Sequence, residues 1–241
     1  MLEVIEIIKK MNQGYTQPYL CIADDGNKYI VKGKGALGRG LICEYICASI
    51  GKAFGLPIPD FDLIEVSNDL IEDDPIYQQN FDTQPAFASK YIEQTQEINL
   101  TILKQLEPKL LEDIFIFDYW VKNEDRTLGD NGQGNPNLFF TIKDKKLHVV
   151  DHNLAFDKNY DFRCVKDIHV GKNCWYKSQI NCFDFDGYKQ RMENALINFN
   201  QCIDNLPPTW FFCSQVENNF IEKINETLIR YENPKFWEVL K

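Results

Sequence analysis

Three stretches near the middle of the chain carry the reading of the fold: Asn123-Glu-Asp-Arg126, Asn135-Pro-Asn-Leu138 and Val149-Val-Asp-His152. The segments 138–142 and 147–150 have strand patterning, and Lys143-Asp-Lys-Lys146 between them reads as a turn, so the pair is expected to be a hairpin. Asn137 and Asp151 stand seven residues either side of Asp144, which places them nearly opposite each other at the hairpin's open end. Two oxygen-bearing side chains held side by side suit a hard cation, with Mg²⁺ the natural occupant. Asp125, read as lying at the end of a buried helix, can approach the same spot. A carboxylate beside an Asn–Asp metal pair is an arrangement suited to phosphoryl transfer, where one group takes the hydroxyl proton and metal neutralises phosphate charge. Taken singly, such residues are ordinary turn polars. It is the three together, behind the apolar Val149-Val150, that favour a site.

Working toward the N-terminus, residues 1–11 are expected to form an amphipathic helix. Tyr19–Ala23 and Lys28–Lys32 read as an antiparallel hairpin around Asp24-Asp-Gly-Asn27. A helix is expected from about Gly40 to Phe54, capped by Gly55 and stopped by Leu56-Pro-Ile-Pro59. Strands follow at 60–66 and 86–92, with a polar, turn-rich linker from Asp69 to Gln84. Lys32 ends a strand where its side chain can point at phosphates. Glu44 is the only carboxylate between Asp25 and Asp60, in a stretch that carries several cations, and a Lys–Glu pair is the usual device for orienting phosphates. Asn12-Gln-Gly-Tyr-Thr-Gln-Pro18 could fold over them with backbone N–H groups, although one glycine is a weak signal.

Toward the C-terminus the patterning is helical: Leu100–Leu106, Leu110–Val121, then most of 185–241 with breaks at Pro207-Pro208 and Pro234. Strands early and helices late give an α+β chain in two lobes, 1–93 β-rich and 94–241 helical, with a ligand cleft between them.

The 241 residues are 44% hydrophobic and 26% charged, ordinary globular values, and the formal charge is −10, which argues against a nucleic-acid partner. No apolar run is long enough for a membrane helix, and a cytoplasmic setting is expected. The eight cysteines contain no Cys-x-x-Cys and the three histidines no zinc-like spacing; Cys43 and Cys47 read as reduced core residues. Trp210-Phe-Phe212 reads as core, or as a partner surface if exposed.

These motifs, in order, resemble the HipA-like kinases in their compact form: Gly14-x-x-Gln-Pro18, Tyr29-Ile-Val-Lys32-Gly-Lys-Gly, Glu44 with Gly55-Leu-Pro-Ile-Pro59, Asn123-x-Asp-Arg126, Asn135-Pro-Asn-Leu138 and Val150-Asp-His152. The resemblance covers about the first 160 residues and implies a two-lobed fold similar to protein and phosphatidylinositol kinases, with ATP and Mg²⁺ as cofactors. It implies Asp125 as base, Asn137 and Asp151 as metal ligands, and Lys32, positioned by Glu44, on the ATP phosphates. It implies a phosphate loop containing Gly14, Tyr15, Thr16 and Gln17, with Thr16 a candidate for self-phosphorylation, and a hinge Ser89-Lys90-Tyr91-Ile92 toward adenine. The implied activity is a Ser/Thr protein kinase acting on a protein such as a translation factor or aminoacyl-tRNA synthetase, in the manner of a toxin held by an antitoxin. Similar motifs in lipid kinases keep a small-molecule or lipid-headgroup acceptor open, and an inactive nucleotide-binding pseudokinase is a further alternative. One departure bears on the site: residues 125 and 137 are twelve apart, wider than usual in the family, which makes Asn135 a competitor for the metal. Arg126 reads as an anchor for the loop or as a phosphate contact.

Overall fold

The computed structural model describes residues 1–11, 16–81, 85–178, 182–197, 199–212 and 216–240. Its first part is a closed five-stranded barrel, in the order β1 (Leu2–Lys10), β2 (Tyr19–Ala23), β3 (Lys28–Lys32), β5 (Ala86–Lys90) and β4 (Phe61–Val66). Between β3 and β4 lies α1 (Leu37–Phe54). Between β4 and β5 lie two short helices, α2 (Asn68–Ile71) and α3 (Pro75–Asn80). These helices occupy the linker expected to be irregular. They are too short to show a periodicity, and each is started by a local cap, Ser67 Oγ on the Asp69 N–H and Asp74 on the Ile76 N–H.

The N-terminal helix expected over 1–11 is a strand. β1 pairs antiparallel with β2 and parallel with β4, which closes the barrel. Register shifts between Val4 and Glu6 and between Ile7 and Lys9 explain the misreading. A bulge inserts an unpaired residue, so the inward positions Val4 and Ile7 fall three apart and imitate a helical period. The run of β-branched residues (Val4, Ile5, Ile7, Ile8) favours the strand.

Within β3, Tyr29 and Val31 alternate into the barrel's apolar cluster with Tyr19, Cys21 and Ala88. Strand alternation then turns Lys32 to the barrel's outer face, toward α1. That helix is buried on nearly every side, from Leu41 through Phe54, and ends at Gly55 in the left-handed conformation (φ 99°). It packs into the larger apolar cluster, which runs through the helices that follow the barrel.

The remainder begins with β6 (Thr95–Glu97), a short strand that was not expected, and continues with α4 (Leu100–Leu103) and α5 (Pro108–Trp120). The hairpin β7 (Leu138–Thr141) and β8 (Lys146–Val149) joins β6 in a three-stranded sheet, followed by α6 (Phe162–Val165), α7 (Lys172–Lys177), α8 (Cys182–Leu196), α9 (Phe199–Asp204), α10 (Phe220–Leu228) and α11 (Pro234–Glu238). Trp120 in α5 is fully buried and donates to the Leu228 carbonyl at 2.7 Å, which ties α5 to α10. Trp210 is buried and donates to Pro85 O, whereas Phe212 is 84% exposed. Cys43 and Cys47 are buried free thiols, and burial pushes the Cys43 thiol up to about 12.

α7 sits against α5 through a close approach at Gly171. A Cβ there would stand 2.3 Å from the Leu111 carbonyl oxygen and 3.1 Å from Phe115 Cβ. Backbone on a buried helix cannot give way cheaply, so Gly171→Ala is expected to destabilise the fold by about 1–3 kcal/mol. Thermal unfolding followed by circular dichroism measures it, and an unchanged midpoint would contradict the close packing.

Candidate active site

The site is assembled at the outer wall of the barrel. Lys32 is 7% exposed, and its Nζ lies 3.1 Å from Glu44 Oε2 and 2.8 Å from Asp151 Oδ1. Burial opposes the lysine's charge, but Asp151 and Glu44 more than offset it and the ammonium is held above its usual range. Burial likewise raises the Glu44 carboxyl despite Lys32, whereas at Asp151 the lysine's attraction outweighs burial and holds the carboxyl low. Glu44 Oε2 also accepts the His152 N–H at 3.0 Å, so α1 grips the lysine and the Asp151 segment together.

Asp125 is not at the end of a helix. α5 stops at Trp120, and a Schellman turn ends it, with Asn123 N–H donating to Asp118 O at 2.8 Å and Lys122 left-handed at φ 53°. Asp125 follows in the loop, where its Oδ2 accepts from Asn135 Nδ2 at 2.8 Å and from Asn137 Nδ2 at 3.0 Å. Burial raises the Asp125 carboxyl, the two amides work against that, and the charge of nearby Asp151 adds to it.

The hairpin exists but is one residue out of the expected register. Leu138 pairs with Val149, and Val150 N–H donates to Asn137 O at 3.1 Å, so Asn137 faces Val150 instead of Asp151. The turn covers 142–145, with Lys145 left-handed at φ 51°, one position earlier than the charge run suggested. Asn137 (φ 48°) and Asp151 (φ 60°) are themselves left-handed, a conformation that Asn and Asp tolerate better than most residues. Strained backbone at two neighbouring polar residues needs external support. Arg126 supplies it.

The Arg126 side chain is fully buried. Its Nη1 donates to the carbonyls of Asn137 (2.7 Å), Val150 (3.1 Å) and Pro136 (3.3 Å), the peptide groups that flank both left-handed residues. Its Nε pairs with Asp118 Oδ2 at 2.7 Å, and its Nη2 meets His152 Nε2 at 3.0 Å. Burial and the Arg126 charge push the His152 imidazole down to about 3, so the ring is neutral and Nε2 accepts. Asp118 also takes His169 Nε2 at 2.9 Å and Asn123 Nδ2 at 2.9 Å. His169 Nδ1 accepts the Gly171 N–H, which leaves its proton on Nε2 for Asp118.

Asp118 and His169 were not picked out in the sequence. A signal for Asp118 is present, a lone acid inside the apolar run Ile114-Phe-Ile-Phe-Asp-Tyr-Trp120. His169 has none, because its partner lies fifty-one residues away.

Of the expected phosphate loop, Gly14 and Tyr15 lie outside the described residues. Thr16 is buried, its hydroxyl has no hydrogen-bond partner among the described residues, and Gln17 is left-handed at φ 47°. Thr16 O passes so close to Gly35 that a Cβ on that glycine would meet it at 2.4 Å. In the expected hinge, the N–H groups of Lys90 and Tyr91 are spent on Asp60 O and Lys28 O, while that of Ile92 makes no hydrogen bond among the described residues. Ser89 is paired within the barrel, between Ile30 and Phe61. Phe87 is core, 1% exposed. The site therefore unites Lys32, Glu44, Asp125, Asn135, Asn137 and Asp151, with the described part of the Thr16 loop close by Gly35.

A barrel-borne lysine paired with a helix-borne glutamate, set over an Asp–Asn loop, is the kind of arrangement kinases use to orient phosphates. The chain belongs to the HipA-like kinase family, whose sequence model matches residues 4–240. Among solved structures it is similar to the crystal structure of the Helicobacter pylori proinflammatory kinase CtkA. The two share 14% identity with a TM-score of 0.59, over 97% of this chain and 92% of that one. At that identity the likeness concerns the fold, a mixed α+β arrangement. No curated protein matches the chain. Membership of a kinase family implies the use of ATP, usually with a divalent metal.

Proposed function

We propose that the chain is an ATP- and Mg²⁺-dependent kinase that phosphorylates Ser or Thr of a protein. The observation that carries this reading is the Lys32 ammonium fixed between Glu44 and Asp151, while Asn137 clasps Asp125 on the adjoining hairpin end. In this reading residues 1–93 are a small lobe that grips nucleotide and 94–241 a helical lobe that carries the acceptor side, with α1 bridging them.

Asp151 and Asn137 fit a magnesium ion by their chemistry. Asp151 is a carboxylate held ionised by Lys32, Asn137 is a buried amide, and both are hard oxygen donors on rigid backbone. Among the described residues no group of three or more His, Cys, Asp and Glu gathers as a cage, so the remaining ligands would be phosphate oxygens and water, as is usual for Mg²⁺. When bound, the ion neutralises charge on the phosphates. Asn135 offers a second amide at Asp125, and it is exposed where Asn137 is buried. Comparing the Mg²⁺ dependence of Asn135→Ala and Asn137→Ala tests the assignment, which predicts the larger rise in required Mg²⁺ for Asn137→Ala.

Lys32 is placed to hold phosphate oxygens, and Glu44 keeps it in place. The Ile92 N–H is the hinge amide free for adenine. With Oδ2 engaged by two amides, Asp125 Oδ1 has no partner among the described residues and can accept the proton of the acceptor hydroxyl. That hydroxyl oxygen bonds to the γ-phosphorus as the bond to ADP breaks. A barrel wall and buried loop supports preorganise these groups, which is where phosphoryl transfer gains its rate.

A protein acceptor is favoured over a lipid because the acidic chain has no polybasic stretch for a membrane surface. Incubation with labelled ATP, with and without cell lysate, tests the reading. Labelled protein bands are expected with lysate. Labelled small molecules alone would point to the other acceptor class, and no ATP consumption at all would point to a pseudokinase. The toxin role rests on the family resemblance, and growth arrest by the wild type but not by Asp125→Asn is its test.

A further inference from the structure

A cavity of about 430 Å³ has none of Lys32, Glu44, Asp125, Asn137 or Asp151 on its walls. Its walls come from the start of α1 (Arg39), the turn after α5 (Lys122), the segment that follows Asp151 (Phe156, Asp157 and Lys158), and α10 with the residues before it. It adjoins the reacting groups: Lys122 precedes Asp125 by three residues, and the Glu124 carboxyl is raised by burial and then by the charges of wall residue Asp157 and of Asp125.

The charges on the walls are not evenly matched. Four cations face three carboxylates, in a chain whose net charge is −10. Lys223 and Glu217 neutralise each other, which leaves Arg39, Lys122 and Lys158 against Asp157, whose Oδ1 accepts the Asn159 N–H, and Glu226, an excess of one positive charge. Arg39 is fixed in place by the carbonyls of Ala155 and Phe156 and by the ring of Phe220. Lys122 and Lys158 have no ion-pair or hydrogen-bond partner among the described residues. Lys122 is half-buried, and burial and Arg230 hold its ammonium below the usual range, opposed by Asp157. It also occupies a left-handed position after a helix, where glycine would be the relaxed choice. A strained, half-desolvated lysine that lines a cavity and lacks a partner is suited to receive an anion.

On the reading that the acceptor is a protein, we propose that this cavity binds an acidic side chain of that acceptor, Glu, Asp or a phosphorylated residue, near the hydroxyl to be phosphorylated. Lys122 and Lys158 supply the charge, Arg39 and Phe220 the wall, and the contact presents the acceptor to Asp125.

Fluorescence anisotropy tests the proposal with short alanine-rich peptides carrying a central Thr and, at each flanking position in turn, Glu, phosphoserine or Gln. A charge-assisted hydrogen bond is worth about 1.5–3 kcal/mol. At one flanking position, Glu and phosphoserine peptides are therefore expected to bind about ten-fold or more tighter than the Gln peptide. The advantage should shrink as salt is raised, and it should disappear in the double variant Lys122→Gly/Lys158→Gln. Lys122→Gly relieves the left-handed strain, so the double variant should keep its unfolding temperature. Equal binding of Glu and Gln peptides at every position, or a preference that survives in the double variant, overturns the proposal. Phosphate transfer to the same peptides is read separately. Selective binding without transfer to any peptide or lysate protein would count against the protein-kinase reading while the cavity's preference stood.

Discussion

Asp125→Asn is expected to abolish measurable phosphate transfer while the protein stays folded. Asn has nearly the same shape, and its amide oxygen can still accept from Asn135 and Asn137, so the clasp seen at Oδ2 can persist. What is lost is the ability to take a proton. Removal of a positioned general base slows a reaction by about 10²–10⁴-fold. The raised carboxyl of Asp125 makes it a better proton acceptor than an exposed Asp. Asp151→Asn should be as severe for a different reason. It removes the charge that balances Lys32 at 2.8 Å together with one of the two proposed metal ligands. Both variants are assayed with labelled ATP and lysate, with unfolding temperatures alongside. Near wild-type transfer by either well-folded variant would remove that residue from the chemistry.

The largest effect on stability is expected at Asp118. Its carboxylate receives Arg126, His169 and Asn123 in a fully buried setting, so Asp118→Ala strands a buried guanidinium. Breaking a buried pair by removing one partner costs about 3–5 kcal/mol. In a chain of this size each kcal/mol moves the unfolding midpoint by about 2–4 °C, and the loss should be plain by calorimetry. The same carboxylate gives a dependence on pH. Burial alone would raise it, but Arg126, His169 and His152 together hold it well below its unfolded value of 3.8. The unfolded chain therefore binds this proton more readily than the folded one. The Asp118 contribution is complete above about pH 5 and is lost as pH falls through and below that unfolded value. Asp118→Asn should flatten the fall in unfolding temperature between neutral and acid pH. An equally steep fall in the variant would place the acid sensitivity elsewhere.

Much of this site could be read from residue types and order, because the features concerned are local. The hairpin of Tyr19–Ala23 with Lys28–Lys32 is written in its turn and alternation, and α1 in its caps. Lys32 and Glu44 stand out because one ends a strand and the other is a single acid among cations. β1 was misread because bulges give a strand a three-residue spacing, an effect that becomes visible only with β2 and β4 in place. The hairpin register slipped by one because Lys145, an ordinary lysine by type, takes the left-handed turn position. The supports of the site were hidden for a different reason. Arg126 could be read as an anchor, but not what it anchors, because it collects carbonyls, and carbonyls are the same whatever residue bears them. His169 reaches Asp118 across tertiary space.

The extra length between Asp125 and Asn137 is pinched off at its base. Thr127 N–H donates to Asn135 O at 2.9 Å, and Asn135 N–H returns to Thr127 Oγ1 at 3.2 Å. The Gly129–Gly134 segment closes on itself through Gly129 N–H to Gln133 O, and Gly134 lies so near Thr127 that a Cβ there would meet its carbonyl at 2.5 Å. The segment beyond that neck is held by its own turn and by the Asp130–Lys172 pair (3.4 Å), not by the carboxylate below it. The tip around Gly132 to Gln133 is therefore a natural port for grafting an epitope or a fluorophore without perturbing that carboxylate.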